Sequence, residues 1–188
     1  RFEADAMHWM ACRAHLRKVL GNAIQRPPRE VPLAYSDFGK PALAPPYQAL
    51  HFNLSHCRDL AVIALTRDGP VGIDLEATTR AADLLECEST FCHPAEINSL
   101  PDEQTARTRQ LLRIWTAKEA VLKAMGTGLS HPPESVRILF GQTVSSAISD
   151  RPLAGLENQN LHELLHAGFD GYQTFISVPN SVTQVQII

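Results

Sequence analysis

The sequence predicts an α+β fold, and three observations carry that prediction. Helical periodicity opens the chain over residues 3–20 and returns over residues 106–125. Between and after these, short apolar or alternating runs at 60–65, 71–76, 135–140, 142–149, 171–178 and 181–188 read as strands. The order is helix, hairpin, helices, hairpin, hairpin, so strands and helices are grouped and not strictly alternated. With 188 residues and 44% apolar content, the chain can bury one core, either as one domain or as two small lobes sharing it. The order fits two similar lobes, although no internal repeat is strong enough to establish duplication.

Each element has a local reason. In the first helix, Ala, Leu, Met and Arg recur at helical spacing until Gly21-Asn22 stops it. Six prolines between Pro27 and Pro46 predict an extended surface path, with Phe38-Gly39-Lys40-Pro41 as a tight turn. Phe52-Asn53-Leu54-Ser55-His56 leads into the apolar strand 60–65, and Asp68-Gly69 turns the chain so that 71–76 returns as its hairpin partner. Residues 79–88 read as helical, and His93-Pro94-Ala95-Glu96 resembles a helix start. A polar linker over 101–108 precedes the long helix, which Gly126 caps. The runs 171–178 and 181–188 alternate as a half-buried antiparallel hairpin.

Composition narrows the function classes. Lys+Arg of 17 against Asp+Glu of 20 gives a net charge of -3, which argues against a general polyanion binder such as a DNA-coating protein. No run approaches the roughly 18 to 20 apolar residues of a membrane span, and no leader is recognisable, so a cytoplasmic protein is expected. Arg1 opens in mid-pattern of the helix, so some N-terminal sequence is expected to be missing. Cys12, Cys57, Cys87 and Cys92 lack the spacing of a disulfide framework and read as reduced. Cys87, Cys92 and His93 offer three zinc ligands, but a structural site wants four at tighter, repeated spacing.

Chemistry concentrates in two segments. In Val71-Gly72-Ile73-Asp74-Leu75-Glu76, alternation sends Asp74 and Glu76 to one side and Ile73 and Leu75 to the core. The pair is either the solvated acidic face of an edge strand or part of a cation site. In Trp115-Thr116-Ala117-Lys118-Glu119-Ala120-Val121-Leu122-Lys123, Glu119 and Lys123 share a face, while Trp115, Leu122 and Met125 form a buried stripe. That pair is either a surface ion pair or, since Lys118 and Glu119 sit among apolar residues, part of a lobe boundary. Asp74, Glu76 and Glu119 together would make an oxygen-only site suited to Mg²⁺ and its phosphate partners, with lysines as point charges on the phosphate. Ser55-His56 offers a phosphate donor or a histidine satisfied by backbone. No G-x-S-x-G elbow, P-loop or dinucleotide fingerprint is present.

In order, Gly39-Lys40-Pro41, Phe52-Asn53-Leu54-Ser55-His56, Gly72-Ile73-Asp74-Leu75-Glu76 and the Trp115 to Lys123 block resemble the Sfp-type 4'-phosphopantetheinyl transferases. The matching blocks span residues 39–129, with a weaker match over the first helix. The resemblance implies an enzyme with holo-[acyl-carrier-protein] synthase activity. It would move phosphopantetheine from coenzyme A to a serine of a separate apo acyl or peptidyl carrier protein, with Mg²⁺ and release of 3',5'-ADP. It also implies a pseudo-twofold monomer of two α+β lobes, residues 1–70 and 71–188, with the active site in the cleft between them. Neither nucleic acid nor membrane is an implied partner. Carried over by position, Asp74, Glu76 and Glu119 resemble the metal ligands, and Lys123 the pyrophosphate contact. Glu119, besides holding the metal, is the candidate base, with Lys123 as its catalytic companion. Ser55 and His56 resemble phosphate contacts, Lys40 and Pro41 the adenine-side turn, and Arg13 the arginine that reaches the 3'-phosphate; Lys118 is a further expected coenzyme contact. Glu96 is a possible second acid, and apolar surface around Leu100, Leu111, Leu112 and residues 79–92 is either a landing place for the carrier or ordinary core. Cys57 stands where many relatives have serine, and the absent N-terminal part would add a strand and basic contacts.

Overall fold

The structure is a computed structural model that describes residues 2–164 and 170–186. The first helix, α1, spans Phe2–Ile24 and packs Leu16 and Leu20 against Val31, Leu43 and Phe52. The proline-rich stretch folds as a small antiparallel pair, β1 (Leu33–Tyr35) and β2 (Pro41–Leu43). Strands β3 (His51–Cys57) and β4 (Leu60–Thr66) form the next hairpin. Thus the segment before 60 is itself a strand, and it, not 71–76, is the partner of β4.

Strand β5 (Gly72–Ala77) pairs instead with β9 (Tyr172–Pro179), which pairs on its other side with β8 (Gln159–Glu163). The expected hairpin between 60–65 and 71–76 does not form. Nor does one between 171–178 and 181–188: residues 182–186 carry no strand, and 187–188 lie outside the described residues. Strands β6 (Val136–Leu139) and β7 (Ser146–Ser149) form the hairpin read from the sequence, and a bridge from Ser145 to Leu161 ties it to β8. A 3-10 stretch (Thr78–Cys87) leads to two single-turn helices, α2 (Glu88–Phe91) and α3 (Pro94–Ile97), before α4 (Gln104–Met125). The result is mixed α+β, and among the described residues no helix is long and apolar enough to cross a membrane.

Helix α4 organises the core. Glu103 caps its start by accepting from the amides of Thr105 and Ala106, and Gly126 ends it in the left-handed region at φ 78°. Its apolar face, with Ala117, Ala120 and Val121, packs on Phe175, Leu161 and Val136, while the other face of the sheet packs Ile73, Leu75 and Ile176 against Val62 and Ala64 of β4. The approach of β5 to α4 depends on Gly72: a Cβ there would lie 2.0 Å from the carbonyl oxygen of Ala120 and 2.3 Å from the amide nitrogen of Ala124. This contact sets the acids of β5 beneath the charged residues of α4.

Candidate active site

Strand β5 is buried along its whole length, so Asp74 and Glu76 are not the solvated face of an edge strand. One of its edges pairs with β9; on the other, side chains of β3 replace a backbone ladder. Asn53 Oδ1 accepts the amide of Ile73 (2.8 Å), and Ser55 Oγ accepts that of Leu75 (3.2 Å) while donating to Asp74 Oδ1 (3.0 Å). Buried amides need such partners, which explains the buried polar residues at 53 and 55 of β3.

Asp74, Glu76, Glu119 and Lys123 line one cleft of about 480 Å³, with His56 and Trp115 on its wall. Lys123 donates to Asp74 Oδ1 at 2.5 Å, and its ion pair with Glu119 is looser, at 4.0 Å. The (i, i+4) pair is therefore secondary; the main partner of Lys123 is across the cleft. Glu76 Oε1 accepts from Arg80 (2.6 Å) and from Trp115 Nε1 (2.8 Å), so Trp115 serves the site as well as the core. Burial raises the Glu119 carboxyl above its ordinary range; Lys123 opposes the shift, and Asp74 and Glu76 add to it. His56 is shifted down, first by burial and then by His8 and Lys123, so its imidazole is neutral at pH 7.

Asp74 Oδ2 is buried without any hydrogen-bond partner, a free lone pair in a cleft with two further carboxylates. An all-oxygen donor set of this kind fits Mg²⁺. The three carboxylates do not converge to within 4.8 Å of one another, and Lys123 and Arg80 occupy part of the space between them.

Other expected residues fall elsewhere. Lys118 is fully buried on the core side of α4, where its ammonium meets Glu96 Oε2 (2.7 Å) and the carbonyls of Phe91 (2.6 Å) and Pro133 (3.0 Å). With three acceptors inside the protein it has no free donor for a coenzyme. Glu96 is held in the same cluster, accepting the amides of His93 and Ile138, so it is no second acid of the cleft. The hydroxyl of Ser55 is likewise committed to Asp74, Leu75 and Lys123 and orients the acid instead of meeting a phosphate. Lys40 Nζ donates to the carbonyls of Val71 (3.2 Å) and Ala124 (2.8 Å), tying the β1–β2 turn to the end of α4; burial lowers its pKa to about 8. Pro41 opens β2, and neither residue lines the cleft. Arg13 donates to the Tyr35 hydroxyl and stacks over Trp9, 4.6 Å from the ring centre, also outside the cleft lining. Leu100, Leu111 and Leu112 are buried with Leu84 and Phe91, ordinary core and no landing surface. His93 pairs with Asp150, and Cys87, Cys92 and His93 form no ligand cluster among the described residues.

Arg80 is the site residue the motifs did not single out. Glu76 lies in β5 and Arg80 in the 3-10 stretch that follows, so no helical period links them; it is the turn out of β5 that brings the guanidinium back onto the acid.

The model of the 4'-phosphopantetheinyl transferase superfamily matches residues 70–176 of this chain. Among similar proteins, the 4'-phosphopantetheinyl transferase HetI of Nostoc sp. is 35% identical over 80% of this chain and 65% of its own length. The 4'-phosphopantetheinyl transferase AcpT of Escherichia coli is 36% identical over 63% of this chain and 57% of its own, and Sfp of Bacillus subtilis 28% over 68% and 55%. This chain spans between about half and two thirds of the length of these relatives. A crystal structure of Thermotoga maritima holo-[acyl-carrier-protein] synthase aligns with a TM-score of 0.47 at 19% identity, covering 58% of this chain and 62% of that one.

Proposed function

The chain belongs to the 4'-phosphopantetheinyl transferase superfamily, and on that premise we propose that it transfers the 4'-phosphopantetheine group of coenzyme A to a serine of a separate apo carrier protein. The observation that carries the reading is the cleft itself. Residues 1–70 supply Ser55 and His56, residues 71–188 supply Asp74, Glu76, Glu119 and Lys123, and the buried Oδ2 of Asp74 has no partner. We read these two segments as the two lobes of a monomer with the active site between them.

Asp74, Glu76 and Glu119 would hold Mg²⁺, which when bound offsets negative charge on the pyrophosphate of coenzyme A. The serine hydroxyl attacks the phosphorus next to pantetheine, and the bond from that phosphorus to the oxygen bridging to the adenosine-side phosphate breaks as 3',5'-ADP leaves with that oxygen. Lys123 stands across the cleft from β5 and, released from Asp74, presents its ammonium to the charge that grows on the leaving phosphate. Glu119 accepts the serine proton. It faces the cleft from α4, whereas Asp74 is held by the hydroxyl of Ser55. His56 donates an N–H from the cleft wall to a phosphate oxygen. Arg80 neutralises Glu76 until the cleft fills. The proposed setting is the cytoplasm, where four free thiols would remain reduced.

The experiment is incubation with coenzyme A, Mg²⁺ and several apo acyl and peptidyl carriers, followed by intact mass measurement of each carrier. A gain of one phosphopantetheine on at least one carrier, lost in Lys123→Ala, supports the reading. No gain on any carrier overturns it.

A further inference from the structure

A second constellation stands at the junction of α1 and β3. His8 and Cys12 are four residues apart and therefore lie on one face of α1, and β3 brings His56 against them. One ligand atom from each, two imidazole nitrogens and a sulfur, lie within 4.8 Å of one another, and among the described residues no other trio of His, Cys, Asp or Glu does so. The His8 and His56 rings are 5.5 Å apart, centre to centre, and tilted at 57°. His8 Nε2 is buried without a hydrogen-bond partner, and Cys12 is a buried free thiol. A buried ring nitrogen without a partner is costly, and a ligand is one way to satisfy it.

From this geometry we propose that His8, Cys12 and His56 bind Zn²⁺, with a fourth position open to water. Two imidazoles and one thiolate are a donor set that zinc takes, and hard Mg²⁺ does not compete for it. Zn–N and Zn–S bonds of about 2.0–2.3 Å place tetrahedral ligand atoms roughly 3.3–3.6 Å apart, so side-chain rotations of about an ångström close the site. On binding, the Cys12 thiol loses its proton to solvent and its sulfur takes the metal. Because His56 also forms part of the cleft wall, the ion would hold that imidazole on α1 and take it from the coenzyme; this consequence rests on the transferase reading.

Co²⁺ serves as the spectroscopic probe, added to the protein in excess Mg²⁺ so that the carboxylates of the cleft are occupied. The expected result is a thiolate-to-cobalt charge-transfer band with intense tetrahedral visible bands, both displaced by one equivalent of Zn²⁺. Both should be absent in Cys12→Ser and strongly reduced in His8→Asn, with circular dichroism showing that the variants are folded. A folded native protein without the charge-transfer band, or an unchanged band in Cys12→Ser, overturns the site. Calorimetry of coenzyme A binding then reads the coupling. Zn²⁺ should weaken it roughly tenfold in the native protein and leave Cys12→Ser unaffected. Equal affinity with and without Zn²⁺ in the native protein overturns the coupling. Absence of coenzyme A binding under both conditions counts against the transferase reading and leaves the metal site standing on its spectrum.

Discussion

Replacing Lys118 by methionine separates a lysine that holds the fold from one that holds a coenzyme. Its side chain is 0% exposed and that of Glu96 is 6% exposed, so the charges face each other at 2.7 Å without water between them. Methionine fills nearly the same volume but removes the counter-charge, leaving Glu96 with only the amides of His93 and Ile138. Breaking one side of a buried pair costs about 3–5 kcal/mol, because the remaining charge stays desolvated. For a chain of this size that corresponds to a fall in Tm of roughly 6 to 20 °C. Urea denaturation and a thermal melt measure the loss, and coenzyme A titration at a temperature where the variant is folded measures the site. The structure predicts a large loss of stability with unchanged affinity for the coenzyme. A loss below about 1 kcal/mol, or a weakened affinity at unchanged stability, would refute the assignment of Lys118 to the core.

Three further outcomes follow from particular contacts. Gly72→Ala forces a Cβ onto backbone atoms of α4, so it should lower stability by about 1–3 kcal/mol or more and reduce transfer, read by the urea midpoint and the initial rate; an unchanged midpoint would contradict the close packing. Lys40 has a folded-state pKa lowered to about 8, so between pH 8 and the higher value of the unfolded chain the unfolded state binds more protons and stability rises with pH. Lys40→Met should flatten that rise, measured as urea midpoints at a series of pH values across the window, and an identical slope would be contrary evidence. The Glu119 carboxyl is raised by burial, so its favourable contribution is present at low pH and lost as pH rises through the folded-state value. In metal-free buffer at pH 7, Glu119→Gln should therefore have a higher urea midpoint than the native protein while losing transfer; a lower midpoint would mean that Lys123 outweighs burial.

The site was legible in sequence where a short period fixed side-chain direction. Alternation alone put Asp74 and Glu76 on one side of β5, and helical spacing put Glu119 and Lys123 on one face of α4, all four now lining the cleft. Pairing between distant strands was not legible. The partner of β5 is β9, about a hundred residues away, and local apolar patterning cannot choose between it and the nearer β4. Lys118, Lys40 and Ser55 show the other limit: residue type announces a charge or hydroxyl but not what lies at its end. Lys118 did carry a signal, since with Leu111, Ile114 and Leu122 it falls on the buried stripe of α4 at spacings of three and four. A charge on that stripe calls for a buried partner, and α3 supplies it in Glu96.

The most direct test is a single reaction containing protein, coenzyme A, Mg²⁺ and an apo carrier, in which carrier mass and released 3',5'-ADP are measured together. Transfer requires a mass gain of one phosphopantetheine with an equal amount of 3',5'-ADP, both absent when Asp74→Ala replaces the native protein. Equal products from Asp74→Ala, or 3',5'-ADP released without any carrier gaining mass, would contradict it.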